Sequence, residues 1–220
     1  MNRCRFSIPN DIWKWNLKPQ GFAILVYLHY LHVHCKNYIA PSAEEIAFRL
    51  HMSKDMAAKQ IAELNRRGLL DQHMVPVFKN TSKNFFSLPN EIFLLGLNAG
   101  ELAVYSFLRR CENRKTRQCW PSVKTIGKAV NMSGNTVRKY ICQLEERGLI
   151  TTEPTTVITK SSGWRNGNLL FTVSPIGEVI DEYYDQQMAV LEQTAARQRA
   201  RRKAEKSGVE FVPPGKEQSA

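Results

Sequence analysis

The chain repeats itself at an offset of 80 residues, and this constrains its fold more than any other property. FSIPNDIW at Phe6–Trp13 returns as FSLPNEIF at Phe86–Phe93, and PSAEEIAFRLHMSKDMAAKQIAELNRRGLL at Pro41–Leu70 returns as PSVKTIGKAVNMSGNTVRKYICQLEERGLI at Pro121–Ile150. Pairing residue n with n+80 over residues 6–70 needs no gap and gives 19 identities in 65 positions, most at apolar, Pro, Ser or Gly sites. A period this long specifies two copies of one globular unit, because solenoid repeats are shorter and need at least three copies to bury a core.

Two such units plus a tail fit a chain of 220 residues, and each is large enough to bury a small core. The longest apolar run, FAILVYL at Phe22–Leu28, is far short of a membrane span, and the polar start lacks a signal-peptide core. The five cysteines (Cys4, Cys35, Cys111, Cys119, Cys142) are odd in number and show no CxxC spacing, which argues against a disulfide framework or zinc site. A reducing, cytoplasmic location is the expectation. The net charge of +11 calls for a polyanion partner. It is unevenly placed: residues 1–80 carry 11 bases and 6 acids, 81–160 carry 12 and 6, and 161–220 carry 8 and 8. The excess therefore sits on the two repeats, where a generic solubilising surface is the competing explanation.

Local signals build one unit. In the second copy, Phe86–Pro89 predicts a short extended segment, and Asn98 with Glu101 predicts a capped helix burying Ala103, Val104, Phe107 and Leu108 on one face. After the turn-like stretch Asn113–Gln118, Ser122 caps a helix over Val123–Val130. Ser133 caps another, with Val137, Ile141 and Leu144 inward and Gly148 ending it. About three residues separate the last two helices, so they cross steeply, as in a helix-turn-helix. ITTEPTTVITK and LLFTV around the turn-rich SSGWRNGN predict a hairpin. The first copy repeats the plan with helices over Pro19–Cys35, Ser42–Leu50 and Ser53–Arg67. Its wing is shorter, about Leu69–Phe78, and Phe85–Leu88 is expected to serve as both its return strand and the lead into the second unit.

The run CWPSVKTIGKAVNMSGNTVRKYICQLEERGLI, through Trp120-Pro121-Ser122, Ser133, Thr136-Val137-Arg138, Leu144-Glu145 and Gly148-Leu149, resembles the winged helix-turn-helix domains of bacterial transcription regulators. It equally resembles those of replication initiators and replisome organisers of plasmids, phages and integrative elements. The resemblance covers about 65 residues of each repeat. It implies a mainly α fold with small β wings, in two tandem winged-helix domains at 1–84 and 85–174; apolar spacing then predicts a C-terminal helix at 175–207, and Gly, Pro-Pro and polar residues a disordered tail at 208–220. It also implies a double-stranded DNA partner in the bacterial cytoplasm, at the nucleoid.

With Val137, Ile141 and Leu144 inward, the third helix of the second unit presents Gly134, Asn135, Thr136, Arg138 and Lys139. Arg138 suits bidentate contact with guanine, and Asn135 suits adenine or a phosphate. Ser122 and Ser133, and Ser42 and Ser53 in the first copy, are either plain helix caps or phosphate contacts. The wing supplies Lys160 and Arg165, while Trp164 either reaches DNA or packs on the domain. The first copy offers Lys54 and Lys59 with Lys79 and Lys83 on its wing, but Ala58 replaces Arg138 and Asp55 replaces Asn135. An acid there repels phosphate, so the second copy is the stronger candidate base reader.

His29, His32, His34 and Cys35 invite a metal reading. Their counterparts Arg109, Glu112, Arg114 and Lys115 are charged, so a solvated face is expected instead. No cofactor is implied, and no nucleophile–base set or phosphate-cradling glycine loop marks an enzyme. Beyond Pro175, apolar residues recur at helical spacing through Ile176, Val179, Ile180, Tyr183, Tyr184, Met188, Val190 and Leu191. Such a helix either packs back on the second unit or pairs with a second copy of the chain. Three functions remain open on sequence: transcription regulator, replication initiator or organiser, and a winged-helix protein–protein module.

Overall fold

Each repeat begins with an antiparallel strand that the other repeat completes. The computed structural model describes residues 4–78, 84–159 and 163–206, and no helix among them is long and apolar enough to cross a membrane. The first repeat runs β1 (Arg5–Pro9), a 3-10 helix (Asn10–Trp15), α1 (Pro19–His34), α2 (Ala43–Arg49) and α3 (Lys54–Arg66). The second runs β2 (Phe85–Pro89), a 3-10 helix (Asn90–Leu94), α4 (Ala99–Cys111), β3 (Gln118–Cys119), α5 (Val123–Val130) and α6 (Gly134–Glu146). Then come β4 (Ile150–Glu153), β5 (Thr156–Thr159), β6 (Gly163–Asn166), β7 (Leu170–Val173) and α7 (Ile176–Lys206). The chain is mostly helical with small antiparallel sheets. Among the described residues, those up to Val179 form one compact unit containing both repeats, and those from Ile180 onward form another.

A local two-fold axis relates the repeats. Ser7 pairs with Ser87, its own counterpart, and Phe6 with Leu88 and Ile8 with Phe86 follow on either side. The two serine hydroxyls lie 3.4 Å apart. Beyond the strands the exchange is reciprocal: the Asn10 N–H donates to the Asn84 carbonyl and the Asn90 N–H to the Cys4 carbonyl, both at 3.1 Å. Trp13 lies against Phe107 of α4, and Phe93 against Tyr27 of α1, each with ring centres 5.2 Å apart. Phe6, Ile8, Phe86 and Leu88 alternate with the serines and are all buried, as the period-two pattern of a half-covered ribbon requires. α1 and α4 pack together against it.

This shared core corrects two expectations. Phe85–Leu88 is not the return strand of the first wing, because it pairs with β1. Residues 69–77 close on themselves instead: the Asp71 carboxylate accepts the His73 and Val75 N–H groups at 2.8 Å, and among the described residues a single bridge, Leu70 to Pro76, forms. Pro76 has no N–H with which to extend a ladder. Similarly, α4 buries more than one face. Every residue from Ala99 to Leu108 is buried, since α1, α5, α6 and β2 all pack on it.

Buried Glu101 fastens the second repeat. Its Oε2 accepts the Asn98 N–H at 2.8 Å, completing the expected capping box, and its Oε1 accepts Arg147 Nε at 3.1 Å. Arg147 also donates to the Leu95 carbonyl at 3.0 Å. α7 buries Ile176, Val179 and Ile180, whereas Tyr184, Met188, Val190 and Leu191 farther along it are exposed.

Candidate nucleic-acid interface

The turn between α5 and α6 closes directly on Gly127, which has no side chain. A Cβ on Gly127 would lie 2.7 Å from the Met132 carbonyl oxygen. Asn131 takes the left-handed conformation at φ 54° and turns the chain, and Met132 N–H returns to the Gly127 carbonyl at 2.9 Å. α6 then buries Val137, Ile141 and Leu144, as their spacing requires.

The opposite side of α6 is open. Asn135, Arg138 and Lys139 are exposed, joined one turn later by Cys142. Arg138 Nη1 leans to Asn135 Oδ1 at 3.4 Å, a loose contact that leaves the guanidinium fork available. Gly134, at the first helical position, keeps this end of the helix bare. Ser133 caps it: the hydroxyl accepts the Thr136 N–H at 3.2 Å and lies 2.7 Å from Thr136 Oγ1. Ser122 does the same for α5, accepting the Thr125 N–H at 3.0 Å. The structure therefore uses both serines, and Thr136, in capping. α5 adds Lys124 and Lys128, exposed one turn apart. They were absent from the candidate set above, although their i, i+4 spacing opposite Ile126 and Val130 marks them in the sequence.

The wing is a hairpin in two stages. β4 and β3 flank β7 at its base, and β5 pairs with β6 farther out. The stages are linked where Gly167 N–H donates to the Thr155 carbonyl at 2.7 Å. Trp164 on β6 is 75% exposed, so it does not pack on the body of the repeat. Arg165 pairs through its backbone with Val157. Its side chain, and the whole of Lys160, lie outside the described residues.

In the first repeat, Ser42 and Glu45 form a capping box, and Ser53 caps α3 by accepting the Met56 N–H at 3.2 Å. Lys54, Asp55, Ala58 and Lys59 are exposed. Lys54 is engaged, its Nζ 3.0 Å from Glu44. Lys59 borders a cleft shared with Gln60, Glu63 and Asn131 of the second repeat's turn. Lys79 and Lys83 lie outside the described residues.

The histidine-rich end of α1 is not a uniformly solvated face. His32 and His34 are exposed, but His29 is tucked in. Its Nε2–H donates to the Ser7 carbonyl at 2.9 Å and its ring meets Phe78 edge-on at 4.8 Å. Burial lowers its pKa from the ordinary 6.5, helped by His32 and His34 and opposed by the Ser7 hydrogen bond. The counterparts Arg109 and Glu112 are buried too, with 9% and 7% of their side chains exposed and 2.7 Å between them. An ion pair within one helical turn lets charged residues occupy an inward position that spacing alone assigned to solvent. Among the described residues, no three His, Cys, Asp or Glu side chains cluster as metal ligands would.

Residues 95–150, from the end of the second 3-10 helix through α4, α5 and α6, match a protein family described as a helix-turn-helix domain. No curated protein matches the chain. Among eleven solved chains that resemble it is one described as a "possible transcriptional regulator" from Methanosarcina mazei Go1. It is 13% identical, with a TM-score of 0.32, over 53% of this chain and 93% of that one.

Proposed function

We propose that this chain is a non-enzymatic, sequence-specific double-stranded-DNA-binding protein with two tandem winged-helix domains, acting as a transcription regulator in a bacterial cytoplasm. The observation that carries this reading is the capped, exposed N-terminal half of α6. It presents Asn135, Arg138 and Lys139 as a recognition helix presents its base-reading side chains. The match of residues 95–150 to helix-turn-helix domains and the concentration of positive charge on the two repeats support it. In this reading Arg138 contacts guanine, Lys139 and the α5 lysines contact backbone phosphate, and Trp164 with Arg165 lies along a groove.

The local two-fold axis adds an orientation. Tandem copies in a sequence would read direct repeats if strung loosely. Copies related by a two-fold axis read an inverted pair of half-sites, as symmetric dimers do. Because α3 and α6 differ at every base-facing position except Lys59 and Lys139, the two halves would differ in sequence. The exposed Tyr184, Met188 and Leu191 stripe of α7 supports a homodimer through this helix. Leu191→Glu is expected to halve the mass measured by light scattering.

Selection of bound fragments from random duplex DNA, at two salt concentrations, tests the reading. The expected outcome is an imperfect inverted two-part motif with steep salt dependence. A directly repeated motif would remove the role of the axis. A one-part motif would confine readout to α6. An absence of binding would reject the function and leave a protein–protein module. Motifs clustered at an origin instead of promoters would assign the protein to replication.

A further inference from the structure

A cationic cleft opens at the base of the second repeat, where α7 begins. Arg5 of β1, Arg109 of α4 and Arg117 of the turn before β3 line it, with Tyr105, Ile176 and Gly177. Its volume is about 780 Å³, in the range of small-molecule sites.

Three independent features give it a preference for negative charge. Arg109 lines it with a side chain only 9% exposed, and its Nε–H is buried with no hydrogen-bond partner among the described residues. An unsatisfied buried donor on a charged group is costly, and an anion beside the guanidinium would offset its positive charge. Arg5 and Arg117, both exposed, add two further cations, while the nearby acid is Glu112, already held by Arg109 Nη1 at 2.7 Å. Burial pushes the Glu112 carboxyl above its usual range, against the pull of Arg109, Arg5 and Arg117. Finally, Ile176 and Gly177 open a helix of 31 residues, whose first N–H groups and dipole favour an anion.

The first repeat shows that the fold does not require these charges. At the equivalent positions stand Leu25 for Tyr105, His29 for Arg109, His32 for Glu112 and Asn37 for Arg117, and Phe85 is the counterpart of Arg5. There His29 contacts Ser7 and Phe78. The same corner of the same unit thus carries a histidine held to Ser7 and Phe78 in one copy and a cluster of arginines in the other.

We propose that this cleft binds a small-molecule oxyanion, a phosphate or carboxylate group borne by a compact organic ligand, at a site separate from the α6 surface. A DNA backbone phosphate shares this chemistry, but the depth of Arg109 favours a slender free anion. Binding here does not depend on the DNA-binding reading. Titration calorimetry and thermal unfolding of the full chain test it, with sodium phosphate and with citrate, against sodium chloride of equal ionic strength. A saturable rise in Tm with phosphate or citrate, beyond that in chloride, is expected. Arg5→Gln and Arg117→Gln change exposed side chains outside the core, and each should weaken binding by about tenfold. Equal shifts in all three salts would overturn the proposal, as would unchanged affinity in both variants. Displacement of phosphate by duplex DNA of arbitrary sequence would give the cleft to the DNA backbone and overturn the small-molecule assignment.

Discussion

The two repeats share a core and diverge on their surfaces. Phe6 and Phe86, Ile46 and Ile126, and Leu64 and Leu144 are buried at equivalent places about the Ser7–Ser87 axis. Outward, α6 offers Asn135 and Arg138 where α3 offers Asp55 and Ala58. The second repeat extends a four-strand wing, whereas the described residues of the first form a single bridge there. Arg147 meets Glu101, but its counterpart Arg67 donates to the Trp15 carbonyl, because Gly21 stands where Glu101 would. Apolar packing about a two-fold axis demands matching shapes on both sides, while nothing ties the two exposed faces together. A duplicated fold can therefore keep one interior and assign its faces different work.

The largest expected effect tests the fastening of the second repeat. Glu101→Ala removes a helix cap and the partner of Arg147 together. Breaking a wholly buried pair costs about 3–5 kcal/mol. Arg147 remains 39% exposed and keeps some water, so a loss of about 2–3 kcal/mol is expected in urea unfolding. Arg67→Ala, without a carboxylate to orphan, should cost about 1 kcal/mol. Equal losses would mean that the repeats are fastened alike.

The next effect concerns the two surfaces. Arg138→Ala should cost about 1–3 kcal/mol of DNA affinity and relax preference at one base pair. A uniform loss on all sequences would reduce Arg138 to a phosphate contact. The converse sharpens the comparison: Asp55→Asn with Ala58→Arg gives α3 the pair that α6 carries. On a duplex with two inverted copies of the α6 half-site, the double variant should bind about 1–2 kcal/mol more tightly than the parent chain. No gain on that duplex, with a gain on a directly repeated one, would break the two-fold arrangement.

Much of this was legible in the sequence, and the exceptions share a cause. The helices, their serine caps, the Gly148 stop and the inward Val137–Ile141–Leu144 stripe follow from local periodicity and capping chemistry. The β1–β2 pairing was not legible, because a strand's partner is set by which apolar faces meet in three dimensions. FSIP and FSLP look alike whether they pair with each other or with a wing. The same ignorance of partners put His29, Arg109 and Glu112 on a solvated face and confined the burial of α4 to one side. At the candidate interface, the exposure of Arg138 and Lys139 followed from the helical period. Trp164 could not be placed without knowing what lay beneath it. Lys124 and Lys128 were readable from spacing once the inward side of α5 was fixed.

The smallest expected effect separates the two buried corners by pH. His29 has its pKa lowered by burial, so the folded chain binds that proton less readily than the unfolded chain. As pH falls through about 6.5, the unfolded state takes up a proton that the folded state refuses, and stability drops. The contribution is fully present above that pH and is lost on acidification until the folded-state pKa is passed. Urea midpoints at pH 7.5 and 5.5 should therefore differ less for His29→Gln than for the parent chain, since glutamine can still donate to the Ser7 carbonyl without titrating. If the drop is unchanged, the sensitivity does not come from His29, and the asymmetry between the corners is one of packing alone.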